Sequence, residues 1–223
     1  MNILVIGADG KMGSQVIDIC KQQNICYVGV DKNSKNYKQQ FDDECKNCDI
    51  AIDFSYADAL ENNVKFCIEN KINIIVATTG HNDKNLSFLN NAKKYIAVFL
   101  APNLSLGFYK MTKAIEVIDN KKYDVAIVEQ HHKHKKDTPS GSAKSLQKML
   151  EQNHKIVQCY GIRGGEEVGT HSVVFLSEYE KITITHQANS RKVFAQGAID
   201  VAMFLKSKKK GLFYMKDFFE YEK

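Results

Sequence analysis

The first hundred residues alternate short β-favouring apolar runs with stretches of helical periodicity, and this alternation constrains the fold more than any other feature. The sequence predicts strands Asn2–Ile6, Cys26–Val30, Asp49–Phe54, Asn73–Ala77 and Ile96–Leu100, and helices Lys11–Gln22, Ala57–Asn70 and Lys84–Lys94. Buried strands separated by helices are typical of a parallel, doubly wound sheet. We therefore expect a Rossmann-like α/β domain that binds its ligand at the carboxyl ends of the strands.

The pattern changes after Pro102, where strands and helices no longer alternate regularly. The sequence predicts, in order, helix Gly107–Ile118, strand Asp124–Glu129, a polar loop to Pro139, helix Ser142–Gln152, strand Lys155–Tyr160, a glycine-rich loop Gly161–Gly169, strands Thr170–Leu176 and Lys181–His186, and helix Ala195–Lys206. This order is typical of an α+β domain with a mixed sheet. Two domains are expected, residues 1–104 plus 191–223 and residues 105–190.

Composition excludes several classes of protein. Of the 223 residues, 43% are hydrophobic and 26% charged, which disfavours a disordered or collagen-like chain. No apolar run approaches the roughly 18 residues that a membrane span needs. The chain begins with a strand and not with a signal peptide, so a cytoplasmic protein is expected. The net charge of +5 permits an anionic ligand without requiring nucleic acid. The Lys206–Lys210 run is interpreted as the end of a helix.

The six cysteines do not predict a zinc site. Cys45 and Cys48 form a single C-x-x-C, without a second pair or an H-x-x-x-H to complete four ligands. The acidic run Asp42–Glu44 beside them would raise a thiol pKa, which disfavours a redox-active pair. The sequence therefore favours free thiols, and a redox role for Cys45 and Cys48 stays open.

A glycine-rich turn, Gly7–Gly13, joins the first strand to the first helix with the spacing G-x-x-G-x-x-G. Glycines let the backbone approach a pyrophosphate, and the helix amino terminus supplies amides and a positive dipole. Asp31 ends the second strand, where a ribose-binding acid is expected. Lys32 could instead attract a 2′-phosphate, so the choice between NADH and NADPH stays open. The alternative is a glycine turn that binds nothing.

Two further loops follow predicted strands of the same sheet, Ala77–Gly80 and Ala101–Leu104. Taken alone, each is an ordinary strand-to-helix turn with a threonine or asparagine that can cap a helix. Their position at the carboxyl ends of strands predicts contacts on the nicotinamide side of a dinucleotide.

The most informative stretch is residues 129–143, EQHHKHKKDTPSGSA. Three histidines and three lysines stand before a Pro-Ser-Gly turn that opens a helix. Amides at that helix start and the Ser142 hydroxyl could hold a carboxylate, and a histidine could move a proton near neutral pH. The alternative is a solvated basic loop. Because His131, His132 and His134 have no expected acidic or thiol partner, no metal site is predicted. No aromatic residues interleave, so nucleic-acid binding is not expected.

Six segments occur in one order over nearly the whole chain: GADGKMG, ATTG, APNLSLG, EQHHKHKKDTPSGSA, RGGEEVGTH and ITHQANSRKVFAQGA. Together they resemble the dihydrodipicolinate reductase (4-hydroxy-tetrahydrodipicolinate reductase) family of diaminopimelate and lysine biosynthesis. The resemblance implies hydride transfer from NADH or NADPH to a cyclic imine with two carboxylates, and a homotetramer formed through the second domain's sheet. The chain is short for the family, with a region trimmed after Asp31.

The resemblance also implies roles for individual residues. His131 would be the acid/base and Lys135 the proton donor, and the substrate carboxylates would be held by His132, Lys135, Gly141 and Ser142. The first domain would bind the cofactor and the second the substrate, with a hinge closing over the reaction. The cofactor-binding residues would be Gly7, Ala8, Asp9, Gly10, Lys11, Met12, Gly13, Asp31, Lys32, Ala77, Thr78, Thr79, Ala101, Pro102, Asn103, Leu104, Arg191 and Phe194. Arg163 and His171 also lie in a family motif, and their plain interpretation is that they anchor loops.

Three departures from the family pattern favour NADH without excluding NADPH. Ala77 replaces a glycine, the Phe54–Ala57 segment lacks a basic residue that many members carry, and Lys32 stands where some relatives have arginine. Lysine cannot make the bidentate, stacked contact with a phosphate that arginine makes.

Two rival functions remain. One is another NAD(P)-dependent oxidoreductase, such as an amino-acid or semialdehyde dehydrogenase, although the latter needs a nucleophilic cysteine and the second half offers only Cys159. The other is a non-catalytic NAD(P)H-sensing protein.

Overall fold

The computed structural model describes residues 1–118 and 121–222, and these form two compact units. Unit 1 combines Met1–Leu104 with the segment from Lys192 onward, and unit 2 is Ser105–Arg191. Residues 119, 120 and 223, which fall within the expected domain ranges, lie outside the described residues.

Unit 1 is built on a six-stranded parallel sheet, so the expected Rossmann-like fold is confirmed. Its first part contains β1 (Asn2–Ile6), α1 (Gly13–Gln22), β2 (Cys26–Val30), β3 (Ile50–Asp53), α2 (Leu60–Glu69), β4 (Asn73–Val76), α3 (Asp83–Ala92) and β5 (Ala97–Leu100). The inner strands are apolar on both faces because helices cover the sheet; Ile3, Leu4 and Val5 of β1 have no exposed surface.

Unit 2 carries the expected mixed sheet. Its elements are α4 (Leu106–Ile118), β6 (Asp124–His131), α5 (Gly141–Leu150), β7 (Val157–Arg163), β8 (Thr170–Leu176) and β9 (Lys181–Gln187). The strand order is β7-β6-β8-β9, with β6 and β7 parallel and the other pairs antiparallel.

Two strands of unit 2 extend beyond their predicted carboxyl ends by two or more residues. The strand expected to end at Glu129 continues to His131, and the expected loop Gly161–Gly169 begins only after Arg163. β6 extends further than predicted because Glu129 and His131 are polar residues on a buried face and look like a loop in the sequence, and β7 extends further because Gly161 looks like the start of the glycine-rich loop.

One face of the unit 2 sheet packs on α4 and α5 and changes character along its length. At one end the face is apolar, with Val125 and Ile127 of β6 buried beside Val173 and Phe175 of β8. Because side chains alternate along a strand, the same face continues with polar residues at the carboxyl end of β6. Those residues are Glu129, His131, Arg163 and His171.

The chain returns to unit 1 through α6 (Lys192–Lys206), β10 (Gly211–Phe213) and α7 (Met215–Tyr221). Neither β10 nor α7 was predicted from the sequence. β10 pairs in parallel with β5 and completes the order β10-β5-β4-β3-β1-β2. The lysine run begins at the end of α6, and Lys208 Nζ lies 4.6 Å from the centre of the Phe204 ring.

The six cysteines are free thiols. Cys45 and Cys48 are both buried, and burial, joined by the negative charges nearby, raises the pKa of Cys48 to about 12. Among the described residues, no helix is both long and apolar enough to cross a membrane.

Replacing Gly197 by alanine should destabilise unit 1. A Cβ at this position of α6 would stand 2.0 Å from the Leu104 carbonyl oxygen, a backbone atom that cannot yield easily. Overpacking of this kind costs about 3 kcal/mol. Urea unfolding of Gly197→Ala followed by circular dichroism measures the loss. Gly164→Ala is the matched control, because a Cβ there meets no heavy atom within 4 Å; equal stability of the two variants would contradict the prediction.

Candidate active site

The parallel sheet of unit 1 gathers the predicted cofactor loops at one edge. Gly7–Gly13 follows β1, Asp31 follows β2, Ala77–Thr79 follows β4 and Ala101–Leu104 follows β5. In the strand order, β1 lies between β3 and β2, so the chain reverses direction across the sheet beside β1. The crevice at such a reversal is where open α/β sheets bind nucleotides.

The glycine turn has the shape that a pyrophosphate requires. Gly7 has a φ of +83°, and a Cβ on it would stand 2.9 Å from the carbonyl carbon and oxygen of Phe54. Its N–H donates to the Val30 carbonyl at 2.8 Å, and the Gly10 N–H donates to the Gly7 carbonyl at 3.0 Å. α1 begins at Gly13 without an acidic residue in its first turn. The positive end of the helix dipole therefore lies at the edge of the sheet where a diphosphate would bind.

Asp31 connects the glycine turn to the loop after β2. Its Oδ2 accepts the Asp9 N–H at 3.2 Å and its Oδ1 accepts the Asn33 N–H at 3.3 Å. The carboxylate is half-buried, and Lys32 beside it is exposed. A carboxylate in this position can accept from ribose hydroxyls, so the residues present fit a dinucleotide.

The remaining cofactor candidates differ in burial. Ala77 and Thr78 are buried, and Thr78 Oγ1 lies 3.0 Å from His81 Nε2, whereas Thr79 is exposed. The Leu104 side chain is 2% exposed and belongs to the core.

The other five cofactor candidates differ in exposure. Ala101 is buried, Pro102 is exposed, and Asn103 and Phe194 are half-buried. Arg191, also half-buried, is the last residue of unit 2.

Asp53 has a buried carboxyl group and was not predicted as a site residue. It fixes the backbone that packs against the glycine turn. It accepts from the Ser55 N–H at 2.8 Å, the Ser55 hydroxyl at 2.6 Å and the Asn63 amide at 2.9 Å. Burial raises its pKa, against the effect of these hydrogen bonds. These bonds fix the Phe54–Ser55 backbone against which Gly7 packs. An acidic residue at the end of an apolar strand is the sequence signal that could have identified Asp53.

In unit 2, the fully buried Glu129 side chain bonds to groups from three segments. Its Oε1 accepts from Arg163 Nη2 at 2.6 Å and from the Ser140 N–H at 3.4 Å. Its Oε2 lies in contact with His131 Nδ1. The expectation that His131 has no acidic partner is therefore wrong: β6 continues to His131, and residues two apart on a strand share a face.

His171 extends this cluster onto β8, where it is paired with Glu129 across the ladder. Its ring centre lies 5.1 Å from that of His131. Ser140 Oγ lies 3.1 Å from His171 Nε2 and also accepts the Ala143 N–H at 3.2 Å, so it caps α5. The start of α5 is thereby fixed to the same buried cluster as His131.

The pKa shifts reflect burial opposed by charge pairing. Burial alone would raise the pKa of Glu129, but Arg163 and His131 outweigh it and the pKa is lowered. Burial lowers the pKa of His131, and the Glu129 charge opposes this. Burial, with a contribution from His131, lowers the pKa of His171 to about 4. At neutral pH the cluster therefore holds one carboxylate, one guanidinium and neutral imidazoles.

The basic loop after His131 is only partly solvated. The His132 N–H donates to the Glu167 carbonyl at 2.8 Å, and Lys135 Nζ pairs with Asp137 Oδ1 at 2.8 Å. Arg163 Nη2 also donates to the Asp137 carbonyl at 2.7 Å. Lys133, His134 and Lys136 are exposed. The loop leads directly to Gly141 and Ser142, the first two residues of α5.

Glu129, His131 and His171 are also a possible metal-ligand set, since one ligand atom of each lies within 4.8 Å of the others. Two imidazoles and a carboxylate suit a transition metal. Here the Arg163 guanidinium already neutralises the carboxylate, and a second cation would be repelled by it. We therefore interpret the cluster as an ion-paired network.

Comparison with known proteins matches both units to one family. The family model described as "Dihydrodipicolinate reductase, N-terminus" matches residues 1–104, and the one described as "Dihydrodipicolinate reductase, C-terminus" matches residues 104–219. The chain belongs to the dihydrodipicolinate reductase family. It is 33% identical, over an alignment of 241 positions, to the 4-hydroxy-tetrahydrodipicolinate reductase of Alkaliphilus oremlandii, and the alignment covers 97% of this chain and 98% of that protein. The resemblance noted in the sequence is confirmed.

Solved structures agree on the fold. The dipicolinate-bound dihydrodipicolinate reductase from Paenisporosarcina sp. TG-14 has a TM-score of 0.74 at 18% identity and covers 96% of this chain and 97% of that chain. An engineered D-amino acid dehydrogenase bound to NADP+ has a TM-score of 0.59 at 11% identity and covers 96% of this chain and 93% of that one. At these identities the likeness concerns the fold alone, which several dehydrogenases share.

His171 should make the stability of the reductase fall in mild acid. Its pKa is about 4 when folded, against 6.5 for an ordinary histidine, so between these values the unfolded chain binds more protons and the free energy of unfolding falls as pH falls. For one such group the loss between pH 7 and pH 5 is about 2 kcal/mol. His171→Gln should flatten the dependence by that amount, measured by urea unfolding at both pH values. The exposed His134→Gln is the control; equal slopes in the two variants would contradict the prediction.

Proposed function

We propose that this protein reduces 4-hydroxy-tetrahydrodipicolinate to tetrahydrodipicolinate with NADH or NADPH, a step of diaminopimelate and lysine biosynthesis. The observation that carries the proposal is the match of both units to reductase family models, with 33% identity to a named reductase over almost its whole length. A glycine turn suited to a dinucleotide and a loop suited to an anion support it.

The names of substrate and product define the chemistry that the residues must perform. They differ by one hydroxyl group, so a hydride enters and hydroxide leaves as water, which requires one proton. Reduced nicotinamide, when bound, supplies the hydride. The protein must bind two carboxylates, deliver the proton and exclude water from the reacting atoms.

His131 and Lys135 are the proposed proton-transfer groups. His131 keeps about a tenth of its side chain exposed at the carboxyl end of β6, and the Glu129 charge stabilises its protonated form. Lys135 carries a positive charge that Asp137 now neutralises. A bound dicarboxylate would compete with Asp137 for this lysine, which gives Lys135 a part in both substrate binding and proton donation.

The substrate carboxylates are proposed to lie against His132, Lys135, Gly141 and Ser142. Gly141 and Ser142 form the first turn of α5, where backbone amides and the helix dipole favour an anion. The Ala143 N–H already donates to the Ser140 side chain, so a carboxylate would be bound by the preceding residues of the turn, Gly141 and Ser142. The loop from His132 to Lys135 is fixed by its bond to Glu167.

The proposed cofactor site is the carboxyl edge of the unit 1 sheet. Gly7–Gly13 would hold the pyrophosphate, Asp31 the adenosine ribose, and Ala77–Thr79 with Ala101–Leu104 the nicotinamide side. Arg191 and Phe194 are added by family resemblance. An acid at Asp31 disfavours a 2′-phosphate, so we propose a preference for NADH, with NADPH also used.

The rival functions have less support. A sensing protein without activity is not favoured, because the matched relatives are named as reductases. A thioester-forming dehydrogenase would need a reactive cysteine in unit 2, whereas burial raises the pKa of Cys159 and keeps it a thiol.

A homotetramer formed through the unit 2 sheet is also proposed. The sheet face opposite α4 and α5 exposes large apolar side chains, with Tyr160, Ile162 and Leu176 each at least 40% exposed. Such side chains on an open sheet face are typical of a protein interface. We propose a cytoplasmic location and no nucleic-acid or membrane partner, in keeping with a small-molecule substrate.

The reaction is tested with substrate generated in situ by its synthase. We expect oxidation of NADH or NADPH, followed by absorbance, that stops when the synthase is omitted. Cofactor binding without turnover would contradict the proposed function and favour the sensing alternative.

His131→Gln should lower kcat by about 100-fold while leaving the Kd for NADH within about twofold, because general acid–base groups contribute on that scale. Lys135→Ala should lower kcat and raise the KM for substrate together, since it loses a charge and a proton donor. Lys133→Ala, at an exposed position in the same loop, is the control. A maximal rate unchanged in either of the first two variants would remove that residue from the mechanism.

Asp31→Ser should raise the ratio of kcat/KM for NADPH to that for NADH by about tenfold, because removing the carboxylate removes repulsion of the 2′-phosphate, worth about 1.4 kcal/mol. Asp18→Ser removes the same charge from an exposed position of α1 and should leave the ratio unchanged. If the two variants give the same ratio, Asp31 does not select the cofactor.

A further inference from the structure

The contact between Glu129 and His131 bears on which nitrogen of the His131 ring carries hydrogen. Glu129 has no exposed surface, and Arg163 Nη2 bonds to its Oε1 at 2.6 Å, which keeps the carboxyl group ionised. An ionised carboxylate can only accept hydrogen bonds. His131 Nδ1 lies against the other oxygen, Oε2. The favourable arrangement therefore has hydrogen on Nδ1 and leaves Nε2 of the neutral ring without one.

We propose that Glu129 is a positioning residue that holds neutral His131 in the Nδ1–H tautomer, so that Nε2 is the atom that exchanges the catalytic proton. Nε2 takes a proton from solvent between turnovers and passes it on towards the substrate, with Lys135 as the final donor of the one proton consumed, and Nδ1 keeps its hydrogen throughout. The catalytic part of this inference rests on the proposed function; the tautomer does not.

Arg163 fixes the orientation of the Glu129 carboxylate. Besides Oε1 of Glu129, its guanidinium bonds to the Asp137 carbonyl through Nη2 and to the Ile162 carbonyl at 2.8 Å through Nη1, so it is fixed on both sides. The Ser140 N–H points to the same Oε1 at 3.4 Å. One carboxylate oxygen thus faces two donors, and the other is left for His131.

The charged and titratable groups around His131 come from every neighbouring segment. Glu129 lies on β6, Arg163 on β7, His171 on β8 and Lys135 in the following loop. Glu129 is the one member of this set that bears negative charge. Replacing Glu129 by a neutral side chain of the same shape therefore tests the effect of its negative charge on the His131 tautomer.

Glu129→Gln should invert the tautomer. Because Arg163 and the Ser140 N–H are donors, the amide oxygen should turn towards them, and the amide NH₂ should then face Nδ1 of His131. Nδ1 would become an acceptor and the hydrogen would move to Nε2. Long-range ¹H–¹⁵N correlation spectra of protein labelled with ¹⁵N-histidine measure this directly, with His131 assigned by the signal lost in His131→Gln.

The expected spectra show Nδ1–H in the unaltered protein and Nε2–H in Glu129→Gln. In the synthase-coupled assay, Glu129→Gln should lower kcat by about 100-fold with the KM for NADH within about twofold, because Nε2 can no longer accept a proton. Glu180→Gln is the matched control. Glu180 follows β8, accepts from the Tyr123 hydroxyl at 2.6 Å and does not belong to the cluster; its replacement should change neither tautomer nor kcat.

An Nε2–H signal for His131 in the unaltered protein would overturn the proposal, and this measurement needs no variant to fold. A Glu129→Gln enzyme that keeps both the Nδ1–H tautomer and its kcat would overturn it as well. Nδ1–H spectra together with a failed reduction assay would overturn the proposed function and leave the tautomer assignment supported, so the two failures are distinguishable.

Discussion

The buried carboxylate of Glu129 is the constraint on which the candidate site depends. An ion removed from water costs several kcal/mol unless charge and hydrogen bonds compensate it. Here the compensation comes from Arg163 on β7, the backbone at the start of α5, and His131 at the end of β6. Satisfying one charge therefore ties two strands and a helix start together, and it fixes both ends of the basic loop between them.

The parallel sheet of unit 1 was predictable because its strands are short apolar runs bounded by helices, and each run is long enough to show its pattern. β10 was not predictable, because the three residues Gly211–Phe213 are too few to show a periodic pattern. Its partner strand β5 is also far away in the sequence. Helix starts also shifted by a few residues: α6 begins at Lys192, three residues before the expected start at Ala195.

The candidate site was predictable as far as local sequence determines it. The glycine turn, Asp31 and the histidine-rich loop were recognised because each is a contiguous motif at the end of a predicted element. The partnership of Glu129 with His131 was missed, since it exists only if β6 continues through both residues. Arg163 and His171 join from strands whose register no local pattern specifies.

The order of the segments has a consequence for biosynthesis. Unit 2 is one continuous stretch, whereas unit 1 needs α6, which contacts α1, β3 and β4, and these are separated from it by the whole of unit 2. During translation unit 2 can fold as soon as it emerges, but unit 1 must wait for its last strand. Unit 2 forms a loop between the two segments of unit 1, and the entropy cost of closing a loop grows only slowly with its length. The insertion of unit 2 therefore delays the assembly of unit 1 more than it lowers the stability of unit 1.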